Sequence, residues 1–206
     1  MPVHLHCAVE GYPDEMVIRR IVDVCGSRVE IVHNCRGKAN LDRRLPNFNR
    51  AAAFEHNFWF VIRDLDQDAA CAAELCQQLL PSKSPHIVFR VVVRELESWL
   101  LADHEAFSSS FSVRASLLPA DPDTLDDPKQ TLFNVIARSR RRAVREEMLP
   151  RPNSGAREGP AYASRLADYA TNAWRPTAAA ERSESLARCI KRLSEFCKLH
   201  DHERHG

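Results

Sequence analysis

The run Phe58-Trp59-Phe60-Val61-Ile62-Arg63-Asp64-Leu65-Asp66-Gln67-Asp68 decides how the rest of the chain is read. Its apolar first half has no polar residue on either face, which fits a parallel strand covered by helices on both sides. The three acids that follow then stand at the carboxyl end of that strand. Side chains two apart in extended backbone point the same way, so Asp64 and Asp66 can converge on one point while Asp68 turns toward the next helix. Open α/β sheets bind ligands at that edge.

Upstream of this run, Val3 to Val9 reads as a strand that breaks at Glu10-Gly11, and Pro13-Asp14-Glu15 starts a helix with acids in its first turn. Met16, Val17, Ile21, Val22 and Val24 form the apolar stripe of that helix, which ends at Gly26. Val29 to Cys35 is the next strand, followed by Arg36-Gly37-Lys38 and a helical stretch interrupted at Pro46. Downstream, Ala69 to Leu80 is helical, Ile87 to Val93 is a fourth strand, and Glu95 to Asp103 opens another helix. Strand and helix thus alternate four times, which predicts right-handed crossovers and an α/β fold with a mostly parallel four-stranded sheet flanked by helices. From Ser108 onward no strand is expected. Lys129 to Met148, Ala161 to Ala173 and Ser183 to Leu199 read as helices, separated by the proline-containing segments 119–128 and 150–160. The expected organisation is a core over 1–107, an α-helical C-terminal annex over 108–199 packed on it, and a tail over 200–206.

Composition sets the outer limits. The 206 residues suffice for one good-sized core, and 44% hydrophobic with 28% charged residues is ordinary for a globular chain. Lys and Arg number 29 against 28 Asp and Glu, so no global field selects nucleic acid or membrane as a partner, and any such signal must be local. The opening Met-Pro-Val-His-Leu-His-Cys has no basic leader, and no apolar run approaches the ~20 residues of a membrane helix. A cytoplasmic protein with no membrane contact is therefore expected. The seven cysteines lack a Cys-x-x-Cys pair and read as buried free thiols.

The acids carry the chemistry. Glu10 ends the first strand, Asp64 and Asp66 the third, and Glu95, Glu97 and Asp103 follow the fourth, so a parallel sheet gathers them on one edge. Two unit charges about 4 Å apart at an effective dielectric near 20 repel by roughly 4 kcal/mol, so the cluster must be neutralised. Hard cations such as Mg²⁺ or Mn²⁺ take oxygen ligands and serve phosphodiester hydrolysis. Acids at strand ends also cap helices or pair with arginines such as Arg63 and Arg94, and that reading stands beside the first.

Val9-Glu10-Gly11 before a helix, Gly37 after the second strand, and Asp64-x-Asp66 after a hydrophobic third strand resemble the Toprim domain of topoisomerases, primases and OLD-family nucleases. The resemblance covers about the first hundred residues. More of the chain, including Arg63-Asp64-Leu65-Asp66, the stretch Arg94 to Asp103, Asp127-Pro128-Lys129 and Ser183-x-Ser185-Leu186, resembles an uncharacterised bacterial family with a Toprim-like core, whose members sit beside ABC-type or AAA ATPase genes in defence-like loci. The resemblance implies that Glu10 is a metal ligand or general acid/base and that Asp64 and Asp66 are metal ligands, with Asp68 a further candidate. It also implies an ATPase partner and a role in antiphage defence. Glu97 is a separate inference: if the helix begins at Glu95, only one of the two glutamates faces the site, and Glu97 shares a face with Leu101. Asp103 is either a ligand or a helix end. No zinc module, tyrosine domain or Walker loop is present, which argues against strand passage, priming and ATP hydrolysis by this chain.

Arg138, Arg141, Arg142 and Arg145 follow helical spacing and would line one face, either as a phosphate-backbone track for DNA or RNA or as a solvated, acid-paired face. Lys129 either reaches a scissile phosphate or lies on the surface. His200, His202 and His205 read as a frayed tail, and His4, His6 and His33 as sheet residues. The function expected is a Mg²⁺- or Mn²⁺-dependent nuclease, free to form homo-oligomers. The alternatives are a non-catalytic docking module and a metal-dependent phosphatase on small substrates.

Overall fold

The computed structural model describes residues 2–201. Strands β1 (His4–Val9), β2 (Arg28–Asn34), β3 (Phe58–Asp64) and β4 (Ile87–Val92) form one sheet in the order β2-β1-β3-β4, and every pairing is parallel. Three helices connect them: α1 (Tyr12–Val24), α2 (Lys38–Ala51) and α3 (Ala72–Leu79). The step from β1 to β2 runs one way across the sheet, and the steps to β3 and β4 run the other. Right-handed crossovers therefore place α1 on one face and α2 and α3 on the opposite one.

The alternation along β3 shows both faces filled. Phe58, Phe60 and Ile62 join the larger apolar cluster with Val17, Ile18 and Ile21 of α1, while Trp59 and Val61 join Leu41, Leu45 and Phe48 of α2 and Leu75 of α3. Six successive residues of β3 are buried, and Asp64 is the first that is not fully so. On the α2 face, His6 and His33 stack on Trp59 with ring centroids 5.1 and 5.2 Å away, as expected of sheet-face histidines.

The remainder is helical: α4 (Leu96–Ala102), α5 (His104–Phe111), α6 (Pro128–Ile136), α7 (Arg142–Met148), α8 (Tyr162–Asn172), α9 (Pro176–Ala179) and α10 (Glu184–Asp201). These helices share the larger cluster with β1, β3 and α1, and α8 packs directly on α1. Trp99 is fully buried, and its indole N–H donates to Ser185 Oγ at 2.7 Å. Asp103 is an end rather than a ligand. It caps α5 by accepting the Ala106 N–H at 3.2 Å, and Arg175 before α9 holds its carboxylate at 2.6 Å.

Four expectations change. The helix expected over 129–148 is two helices, because the backbone between them bonds elsewhere: the Arg140 N–H donates to Ser112 O at 3.0 Å and the Ser139 hydroxyl to Phe111 O at 2.6 Å. The end of α5 thus draws the chain out of helical register. Conversely, α2 continues through Pro46, which interrupts no more than one backbone bond. Cys71 is exposed, unlike the thiols at Cys7, Cys35, Cys189 and Cys197. His200, expected in a tail, is buried in α10 with its ring 4.7 Å from that of Phe58. His202 and His205 lie outside the described residues. Among the described residues no helix is long and apolar enough to cross a membrane.

Candidate active site

β1 and β3 are the neighbours from which successive connections diverge, and the crevice at their carboxyl ends is where such sheets receive ligands. Glu10 follows β1 and Asp64 closes β3. Backbone ties the turn after β2 to the end of β1: the Gly37 N–H donates to Glu10 O at 2.8 Å and the Cys35 N–H to Val9 O at 2.9 Å. Gly37 has φ of 113°, a conformation that glycine adopts without a Cβ penalty. Gly11 is constrained differently, since a Cβ there would stand 3.1 Å from Asp14 Oδ2.

Above the crevice lies a cavity of about 480 Å³. Its floor is Glu10, Asp14 and Asp64, one wall is Glu97 and Leu96, the rim holds Arg36, and the roof is Lys129, Glu158 and Tyr162. The helical annex therefore completes a pocket that the sheet begins. Glu10 Oε1 accepts the backbone N–H of Asp64 at 3.0 Å, joining the two strand ends. Glu97 is buried and accepts the Tyr162 hydroxyl at 2.6 Å. Of the two glutamates weighed from sequence, Glu97 is the one that lines the cavity. Glu95 instead accepts the Lys129 backbone N–H at 2.9 Å.

The nearest cation stands at the edge of this inner group, with Arg63 Nε 4.0 Å from Glu10 Oε1. Asp64 Oδ1 is buried and has no hydrogen-bond partner in the protein. Burial, then the charges of Asp14, Glu10, Glu97 and Asp66, pushes the Asp64 carboxyl well above the usual carboxylate range. Burial likewise raises Glu10 to about 7, opposed by its bond to the Asp64 N–H. Asp14 rises to about 6 and Glu95 to about 7, again chiefly through burial, with Glu97 the leading charge against each. Carboxyls poised near neutrality can exchange protons at working pH. Among the described residues, no three His, Cys, Asp or Glu side chains already stand at metal-ligand spacing. What the site offers a cation is an unpartnered buried oxygen inside a ring of mutually repelling carboxylates, a donor set of hard oxygens suited to Mg²⁺ or Mn²⁺.

The other two acids of the run go elsewhere. Asp66 has φ of 49°, which turns the chain out of the strand, and its carboxylate accepts from Lys38 Nζ at 2.7 Å. Asp68 accepts from the same ammonium at 2.9 Å and lies 2.6 Å from Arg63 Nη2. Arg63, itself buried, also holds Asp42 at 3.0 Å. Period-two spacing placed Asp64 and Asp66 on one face, with Asp68 a further candidate ligand beyond them. The left-handed turn and the two cations separate them, so that Asp64 alone of the three lines the cavity. Lys38 had gone unremarked as an ion-pair partner, although it follows Gly37 directly.

The arginine track also changes. Arg138 and Arg141 lie between α6 and α7, Arg142 pairs with Glu146 at 2.6 Å, and Arg141 and Arg145 donate to the backbone carbonyls of Ser110 and Ser139. The four do not share one helical face, and none lines the acid cavity. Lys129 does, with its ammonium on Glu158 and 5.0 Å from the centre of the Tyr162 ring. Two cavity carboxylates escaped the sequence reading. Asp14 looks like an ordinary first-turn acid, and its position four residues after Glu10 was the available signal. Glu158 lies in a polar segment with no pattern to mark it. No protein-family model, curated protein or solved structure matches this chain.

Proposed function

We propose that this chain is a divalent-metal-dependent phosphodiesterase with nucleic acid as substrate, a nuclease built on a Toprim-like core. The observation that carries the reading is the buried, unpartnered Asp64 Oδ1 at the sheet's switch point, surrounded by Glu10, Asp14 and Glu97. These four residues would hold Mg²⁺ or Mn²⁺, which when bound would polarise a phosphoryl oxygen and stabilise charge as it develops. Glu10, fixed by the Asp64 N–H, is either one of these ligands or the group that accepts a proton from the attacking water. Lys129 and Arg36, at roof and rim, are the cations in reach of the phosphate. An ATPase partner and a place in antiphage defence extend this proposal and rest on the sequence resemblance.

A metal-dependent phosphatase on small substrates is the second reading. It is favoured by the cavity's volume of about 480 Å³, which falls within the usual size of small-molecule sites.

The test is cleavage of end-labelled single- and double-stranded DNA and RNA, and of a small phosphate ester, with Mn²⁺ or Mg²⁺. Asp64→Asn should lose about a thousandfold in rate, the effect of several kcal/mol in the barrier. The same ions should raise the melting temperature of the wild type and leave that of Asp64→Asn unchanged. Equal activity in the variant would sink the reading, and turnover of the small ester alone would replace it with the second.

A further inference from the structure

Of the cations around the cavity, Lys129 is the one that reaches into its roof, and a carboxylate already occupies it. Glu158 takes the ammonium, and the Tyr162 ring lies 5.0 Å away on another side. Both side chains of the pair are open to solvent, at 31% for Lys129 and 37% for Glu158. An anion entering from outside therefore meets the ammonium without unpacking any core.

Glu158 is held there by its neighbours. The Gly159 N–H donates to Met148 O at 3.0 Å and the Ala161 N–H to Glu147 O at 2.9 Å, which ties the segment to the end of α7. A Cβ at Gly159 would fall 2.3 Å from Glu147 O, so only glycine permits this approach. Residues 151–157, by contrast, are all exposed. One end of the segment is anchored beside the site and the other is free of the core, an arrangement that delivers a carboxylate to the roof and lets it withdraw. Lys129 retains its proton: burial disfavours the charge, but Glu158, then Glu97 and Glu95, favour it more strongly.

We propose that Lys129 is the phosphate-binding position of this site and that Glu158 is its built-in placeholder, exchanged for a substrate phosphate on entry. The proposal rests on the reading of the cavity as a phosphate-ester site. It names the group that competes with that substrate. A monoanionic carboxylate and a phosphate oxygen present the same acceptor to an ammonium, and a phosphate brings more charge and more oxygens. Glu158 thereby sets the threshold: weak anions fail to displace it, and the polyanionic backbone of a nucleic acid or a terminal phosphate succeeds.

The experiment measures binding of a 5′-phosphorylated, fluorescein-labelled tetranucleotide by anisotropy, to the full chain, in EDTA and again in Ca²⁺. Glu158→Gln keeps the shape and removes the competing charge. It should tighten binding about two- to fivefold in both buffers, the range set by releasing one partly exposed ion pair. Lys129→Met should abolish that gain when combined with Glu158→Gln, and should weaken binding on its own. Unchanged or weaker binding by Glu158→Gln overturns the proposal, as does full affinity in Lys129→Met or no binding by either protein in either buffer. Melting temperatures of the variants, taken alongside, identify any loss that comes from unfolding, and Lys129→Arg then serves as the variant that keeps charge and packing. Because the readout is binding, failure of the hydrolase reading would leave the Glu158→Gln gain intact, while failure of the placeholder would leave hydrolysis intact.

Discussion

Two acid clusters share the carboxyl edge of this sheet and carry opposite electrostatic states. The inner one, Glu10, Asp14, Asp64 and Glu97, faces a cavity, and its shifted carboxyls are pushed upward by burial and by one another. The outer one, Asp42, Asp66 and Asp68, is closed around Lys38 and the buried Arg63, and Asp68 is held below its ordinary value, first of all by Lys38. The two are joined by one stretch, since Asp64 belongs to the first and Asp66 and Asp68 to the second, and by Arg63, whose Nε lies 4.0 Å from Glu10 Oε1. A motif of alternate acids is therefore two devices here. The outer half is satisfied and fixes the loop, while the inner half is left unsatisfied where a ligand would arrive.

The sharpest way to break this contrast is to remove the cation that closes the outer cluster. Arg63→Met should cost about 3–5 kcal/mol, because it removes the buried cation that Asp42 and Asp68 share and leaves Asp68 with Lys38 alone. Urea unfolding checks it, and a cost under about 1 kcal/mol would mean that Lys38 alone neutralises the outer acids.

A second, somewhat smaller effect concerns pH. Glu10, Asp14 and Glu95 have folded values near 7, 6 and 7, above those of an unfolded chain. Groups raised in this way contribute stability that is fully present below about pH 4 and is lost as pH climbs through the folded values. Unfolding free energy without divalent ions should therefore fall by at least about 2 kcal/mol between pH 5 and pH 8. Asp64→Asn should flatten that slope and be the more stable protein at pH 8, as expected when a mutation relieves strain stored at a functional site. A wild-type profile that rises over the same window would show that the inner acids are compensated by groups not facing the cavity.

The smallest effect belongs to the outer rim. Asp68→Asn removes one partner each from the half-exposed Lys38 and the buried Arg63, which keep Asp66 and Asp42, and should change stability by no more than about 1 kcal/mol. It should also leave the melting response to Mn²⁺ intact. Loss of that response would place Asp68 in the ion site after all and dissolve the division between the clusters.

How much of this was open to sequence reading varies with the range of the forces involved. The strands, and the both-sided burial of β3, followed from hydrophobic pattern because a residue's period and its neighbours in the chain decide them. Glu10, Asp64 and Glu97 were reachable because strand ends in a parallel sheet must share an edge. Asp66 was misplaced beside Asp64, since its left-handed backbone and a lysine 28 positions upstream redirect it, and spacing holds neither fact. The arginine face failed in the same manner when Ser139 and Arg140 bonded to the end of α5 instead of continuing a helix.

The amino-acid sequence by itself determined the α/β alternation, the buried central strand and the gathering of acids at its end, because each depends on local periodicity and on the fixed handedness of crossovers. Only the tertiary structure decided which acids remain unpaired, that Asp14 joins them, and that Lys129 and Glu158 roof the cavity from the helical annex. Those outcomes depend on desolvation and on charges brought together from distant parts of the chain, and both quantities exist only once the fold has excluded water from the site.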